Sequence, residues 1–242
     1  MASFPAESSS EYARTLNARD DIIFLFDVDN TLLDNDRVHD DLDAHLRDRF
    51  GADAAASYWQ HFEELRTTLG YADYLGALQR FRLDRQHDPR VLEVSGYLLD
   101  YPFADRLYPG ALAAIKHCRR WGPTVILSDG DAVFQPRKLE RSGIRDAVED
   151  RVLIYVHKEL MLDEVQRRYP ARRYVMVDDK LRLLAAMRSV LADRLFAVFP
   201  RQGHYARDVA AIRDLPSADL DVEHIGDLAS YDFSKLTGVH DA

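Results

Sequence analysis

The residues able to do chemistry gather at four points of this 242-residue chain. Asp27, Asp29 and Thr31 stand in "IIFLFDVDNT", directly after an apolar run from Ile22 to Phe26. Ser128, Asp129 and Gly130 close "TVILSDG", Lys158 stands in "VLIYVHKE", and Asp178 and Asp179 end "YVMVDD". Like charges brought together away from water repel strongly. A divalent cation held by hard oxygen ligands, with a lysine beside it, would make such a cluster tolerable. That set suits chemistry on an anionic substrate. Each piece taken alone has a plainer reading: an acidic turn for Asp27 and Asp29, a turn or cap for Ser128, a solvated Lys158. Asp178 and Asp179 could cap the helix that begins at "KLRLL".

The elements that must hold these residues are legible as apolar runs. "IIFLF" (22–26), "TVILS" (124–128), "VLIYV" (152–156), "YVMV" (174–177) and "LFAVF" (195–199) lack the alternation of a half-exposed strand. They read as strands of a sheet covered on both faces. Helical patterns separate the later runs: "PGALAAIKHCRRWG", with Leu112, Ile115 and Cys118 near one face, then "PRKLERSGI", "ELMLDEVQRRY" and "KLRLLAAMRSVLADR". Strand–helix alternation predicts an α/β fold, a doubly wound Rossmann-like parallel sheet. Ligands of such sheets bind beyond the carboxyl ends of the strands, where the residues above stand.

One stretch breaks the alternation. Val38, Leu42, Leu46 and Phe50 recur every fourth residue and stop at Gly51; Tyr58, Phe62, Leu65 and Leu69 stop at Gly70. Tyr74, Leu75, Leu78 and Phe81 make a third apolar set. Asp88-Pro89 reads as the N-cap and first residue of a fourth helix carrying Val91, Leu92 and Leu98. We therefore expect residues 36–103 to form an all-helical inserted domain, with 1–35 and 104–242 forming the core. The polar start is expected to be frayed through about Ser10.

These motifs, in this order and at these strand ends, resemble the haloacid dehalogenase-like superfamily. "FDVDNT" matches its D-x-D-x-T motif, "VILSDG" its strand ending in Ser or Thr, Lys158 its lysine, and "MVDD" its paired-Asp motif. The insert falls where members with a C1 cap carry that cap. The resemblance implies a Mg²⁺-dependent phosphatase acting through an aspartyl-phosphate. It makes Asp27 the nucleophile and Asp29 the acid and then the base, with Asp29 also lending its backbone carbonyl to the metal. It places Asp178 and Asp179 at the metal with Asp27. Thr31, Ser128, Lys158 and the backbone at Asp129 and Gly130 are left to the phosphoryl group. There are departures. Leu183 stands where a further acid is common, and Asp129 where Asn is common.

The same core also serves phosphomutases and nucleotidases, and "TTLGYADYLGAL" resembles the cap of pyrimidine nucleotidase-like relatives. A metal-free haloacid dehalogenase needs neither Asp29 nor the Asp178–Asp179 pair. A phosphonatase needs a cap lysine, and no lysine lies between Asp36 and Phe103. An idle binding protein would not need all four motifs.

The formal net charge of −9 disfavours nucleic acid, whose binders cluster Lys and Arg. The expected partner is a small phosphorylated metabolite, and the expected state a monomer or homodimer. Cys118 is the only cysteine, which suits a reducing cytoplasm, and no stretch has the length of a membrane span or the apolar core of a leader.

Overall fold

The structure, a computed structural model, describes residues 21–236. The start expected to be frayed, through about Ser10, lies outside them. Six parallel strands make one sheet in the order β3-β2-β1-β4-β5-β6. They are β1 (Ile22–Phe26), β2 (Thr124–Asp129), β3 (Val152–Tyr155), β4 (Arg173–Val177), β5 (Leu195–Pro200) and β6 (Leu220–Val222). The first five match the apolar runs to within a residue. β6 was not expected; its three residues, Leu-Asp-Val, extend the sheet beside β5.

Alternate residues of each inner strand enter opposite cores. Ile23 and Leu25 pack with Tyr174 and Met176 on one face. There they meet Leu162 and Val165 of α8 (Leu162–Arg168) and Leu184 and Met187 of α9 (Leu181–Leu191). Phe24 and Phe26 face the other way, toward α5 (Ala111–Cys118) and α6 (Phe134–Ser142). The short α7 (Ile144–Ala147) adds Ile144 to that face. Cys118 is fully buried there. Leu112, expected on the buried face of α5, is exposed instead; Ala111, Ala114 and Ile115 take the inner positions.

Between β1 and β2 the chain forms α1 (Asn35–Phe50), α2 (Ala52–Leu69), α3 (Tyr74–Leu83) and α4 (Arg90–Asp100). Val38, Leu42 and Leu46 of α1 are buried with Tyr58, Phe62 and Leu65 of α2. Tyr74, Leu78 and Phe81 of α3 join Val91, Val94 and Leu98 of α4. Leu92, expected inside, points to solvent, because the inner stripe of α4 runs 91, 94, 98 at helical spacing. α4 begins one residue later than expected, with Asp88 Oδ1 accepting the Arg90 amide at 3.1 Å.

The two crossings into and out of this helical insert are tied together. The Asp34 amide donates to Arg106 O at 2.7 Å, and the Tyr108 amide to Leu32 O at 3.0 Å. Leu33 and Leu107 form an isolated antiparallel bridge between them. Among the described residues, no helix is long and apolar enough to cross a membrane.

Candidate active site

The carboxyl ends of β1, β2 and β4 meet because β1 is central, flanked by β2 and β4. Asp27 follows β1 and Asp178 and Asp179 follow β4, so adjacent strand ends deliver three acids to one place. Asp27, Asp178 and Asp179 are all buried, and each offers an oxygen within 4.8 Å of the others. Lys158, from the loop after β3, is fully buried among them. Its Nζ lies 2.6 Å from Asp27 Oδ1 and 2.6 Å from Asp178 Oδ2. Burial opposes the charge on Lys158. The neighbouring Asp178, Asp27 and Asp129 overcome that and hold the ammonium above its ordinary range.

The acids are unequal. Asp178 Oδ1 accepts the Lys180 amide at 2.8 Å, so this residue braces the turn into α9 as well as facing Lys158. Burial raises Asp178, against the pull of Lys158. Neither oxygen of Asp179 has a hydrogen-bond partner. Burial therefore pushes its carboxyl well above the usual range, against the attraction of Lys180. A wholly buried carboxylate with both oxygens unpartnered is costly unless something absent from the chain completes it. Hard oxygen donors at this spacing fit a divalent cation such as Mg²⁺.

Thr31 lies beneath this cluster. Its Oγ1 accepts the Asp179 amide at 3.0 Å and sits 3.5 Å from Asp27 Oδ2, joining the loop after β1 to the loop after β4. Ser128 is also buried, and its Oγ accepts from Gln135 Nε2 at 2.9 Å. Asp129 is tied to the backbone beside the cluster: its Oδ1 accepts the Lys158 amide at 2.7 Å, and the residue also lines the adjoining cleft. Burial lifts its carboxyl to about 6, against Lys158. The Gly130 amide, expected to bind a phosphoryl oxygen, donates to Tyr155 O at 2.9 Å. The sheet pairing of β2 with β3 continues through Gly130, so that donor is already used.

Adjoining this cluster is a cleft of about 740 Å³, lined by core residues such as Asp29, Gly130 and Lys180 and by insert residues such as Arg66, Tyr71 and Tyr74; the buried Asp27, Asp178, Asp179 and Lys158 do not line it. Asp29 stands at this cleft, apart from the buried cluster, and its Oδ1 accepts from Lys138 Nζ at 2.5 Å. Two further lysines thus join the predicted Lys158. Lys138, on α6, is 1% exposed. Lys180 lies with its Nζ 5.0 Å from the centre of the Tyr205 ring. Burial opposes the charge on Lys180, and Asp27, Asp179 and Asp178 raise it above the ordinary range.

Sequence reasoning missed Lys138, although a signal existed. Phe134, Lys138 and Ser142 recur at helical spacing with Gln135 and Leu139, and all five are buried. A lysine on the inner stripe of a short helix needs a buried anion. Lys180 adjoins the Asp pair and was readable only as part of a helix start.

The rim is closed by contacts between core and insert. Asn30, held at φ 61°, accepts the Asn35 amide at 3.0 Å and the Asp36 amide at 3.2 Å. Asp36 Oδ1 lies 2.5 Å from His204 Nδ1. Arg66 Nη1 donates to Tyr205 OH at 3.3 Å. His204 and Tyr205 belong to α10 (Gly203–Arg207), after β5. His157 is about half-exposed, and its imidazole packs close against Gly70 at the end of α2.

The family model for haloacid dehalogenase-like hydrolases matches residues 23–190. A crystal structure from Burkholderia xenovorans LB400, assigned to the haloacid dehalogenase-like hydrolases, is 65% identical and has a TM-score of 0.83. That match covers 88% of this chain and 99% of the other. Two others share the fold at low identity. The L-2-haloacid dehalogenase of Xanthobacter autotrophicus is 17% identical with a TM-score of 0.53, covering 86% of this chain and 96% of its own. The YfnB hydrolase of Bacillus subtilis, solved bound to magnesium, is 14% identical with a TM-score of 0.55, covering 85% and 96%. No curated protein matches the chain.

Proposed function

The chain belongs to the haloacid dehalogenase-like hydrolase family, and from that premise we propose that it hydrolyses a small phosphomonoester with Mg²⁺ as cofactor. One observation carries the choice of reaction: the unpartnered, fully buried Asp179 carboxylate beside Asp27 and Asp178. Asp27, Asp178 and Asp179 would hold the cation. When bound, it supplies positive charge that offsets repulsion between the carboxylates and a phosphoryl dianion.

The residues then divide the work. Lys158 holds Asp27 Oδ1 and leaves Oδ2 less engaged. In the first step an oxygen of Asp27 attacks phosphorus. The P–O bond to the alcohol breaks, its electron pair stays on the leaving oxygen, and Asp29 gives that oxygen a proton. In the second step water attacks the aspartyl-phosphate, Asp29 takes its proton, and phosphate leaves with Asp27 restored. Asp29 suits both tasks because it stands at the cleft, where leaving group and water arrive. Lys158 fixes the nucleophile and neutralises charge beneath it. Residues 36–103 would act as the cap that selects the substrate, with Arg66, Tyr71 and Tyr74 facing the cleft.

Metal-free dehalogenation is the second reading, since Lys158 alone could hold the nucleophile in place. It leaves Asp179 without a task. The experiment is direct. Purified protein is given p-nitrophenyl phosphate or 2-chloropropionate, with Mg²⁺ or with excess chelator. Phosphate release that needs Mg²⁺ and is absent in Asp27→Asn is the expected result. Chloride release in chelator without phosphate release would refute the reading.

A further inference from the structure

Lys138 has no part in the chemistry above, yet its setting is that of a functional group. Its Nζ lies 2.5 Å from Asp29 Oδ1, 3.1 Å from Asn35 Oδ1, and 5.4 Å from the centre of the Phe134 ring. Asn35 opens α1, and its Nδ2 donates to Tyr74 OH at 3.1 Å. Tyr74 opens α3 and is 2% exposed. A continuous polar chain therefore runs Asp29, Lys138, Asn35, Tyr74. It starts on the loop after β1, passes through α6 of the core, and ends inside the helical insert.

Burying an ammonium costs several kcal/mol unless good partners surround it. A carboxylate at an open cleft has no need of such a partner and could be satisfied by water. What the pairing adds is orientation. It restricts the Asp29 side chain to one rotamer, because Lys138 is itself held by packing and by Asn35. General acid catalysis depends on that orientation, and a displacement of about 1 Å can lower a rate by roughly 100-fold.

We infer that Lys138 is a positioning residue for Asp29, and that Asn35 and Tyr74 make this position depend on where the insert sits. The inference rests on the phosphatase reading above. Lys138 touches neither phosphorus nor the leaving oxygen; it acts through Asp29. Lys138 and Asp29 both belong to the core, Asn35 stands at the junction where α1 begins, and Tyr74 belongs to the insert. Displacing α3 would break the Asn35–Tyr74 contact and loosen the chain from its far end.

The test separates proton delivery from general damage. Lys138→Met keeps length and packing without the charge. It is compared with wild type, as kcat/KM with Mg²⁺, on phenyl phosphate and on 2,4-dinitrophenyl phosphate. This ratio covers only the steps through the first P–O cleavage. Phenolate needs a proton as it leaves; dinitrophenolate does not. Lys138→Met should lower kcat/KM on phenyl phosphate by about 100-fold and on the dinitrophenyl ester by less than about threefold. Lys138→Arg should recover part of the loss. Tyr74→Phe, which keeps Lys138 and removes the hydroxyl that Asn35 holds, should lower the same ratio of esters about threefold to tenfold, a ratio that a general loss of substrate binding would leave unchanged. It also serves if Lys138→Met does not fold, which thermal melting reports. Equal losses on both esters in folded Lys138→Met would overturn the positioning role. An unchanged ratio in Tyr74→Phe would overturn the link to the insert. Wild-type protein inert toward both esters would overturn the phosphatase reading and this inference with it. Wild-type activity with unselective variants would overturn this inference alone.

Discussion

Replacing Asp179 by Asn should make the metal-free protein more stable. Both Asp179 oxygens are buried without hydrogen bonds, and oxygens of Asp27 and Asp178 lie within 4.8 Å. At that distance and an effective dielectric near 20, each like-charged pair repels by about 3 kcal/mol. Lys180 offsets part of this. Removing the charge while keeping the shape should leave a net gain of about 1–3 kcal/mol, which for a chain of this size raises Tm by roughly 2–12 °C. The pH dependence has a definite sign. Burial raises the Asp179 carboxyl above its unfolded value, so its contribution is most favourable below the unfolded pKa and is lost as pH rises through the folded one. The advantage of Asn should therefore be largest near neutrality and shrink toward pH 4. Mg²⁺ should narrow or reverse that difference. A cation at 100 times its Kd stabilises the wild type by about 2.7 kcal/mol, or roughly 5–11 °C, and the variant should lose most of that gain. Calorimetric melting in chelator and in Mg²⁺ checks both arms. A variant that melts lower than wild type in chelator, or responds equally to Mg²⁺, would refute the assignment of Asp179 as a cation ligand.

Lys158→Met should act in the opposite sense, because it strands Asp27 and Asp178 as buried charges; a loss of about 3–5 kcal/mol, or roughly 6–20 °C in Tm, should appear in the same melting experiment. Gly203→Ala should cost about 1–3 kcal/mol in denaturant unfolding, since φ there is 70° and an added Cβ would sit 2.4 Å from Asn30 Cβ.

The buried strands were legible because both of their faces are covered, which turns each into an unbroken apolar run. β6 was not, because three residues with Asp221 at the centre carry no such signal. The helices of the insert could be read from their four-residue recurrence. Leu92 and Leu112 misled because periodicity gives a stripe but not which leucine at its margin is covered. At the site, the acids and Lys158 stood out because each follows a strand, and strand ends converge. Lys138 did not stand out, because it is held by Asp29, 109 positions away in sequence, and its own segment reads as an ordinary charged helix. The use of the Gly130 amide was equally hidden, because it depends on how far β2 and β3 remain paired.

The backbone pairing at Leu32–Asp34 and Arg106–Tyr108 has a consequence for how such a chain can diverge. It brings the two ends of the insert side by side, like the base of a hairpin. To the sheet, everything between them is a single loop. The entropy of closing a loop rises slowly, by about 0.6 kcal/mol for each doubling of its length. A lineage can therefore lengthen, shorten or exchange the whole segment while the strands keep their register. Residues at the ends of β1 and β4 and residues between Asn35 and Asp100 are then free to change at different tempos. Positions that reach across the junction, such as Asn30, Asn35 and Lys138, must change together.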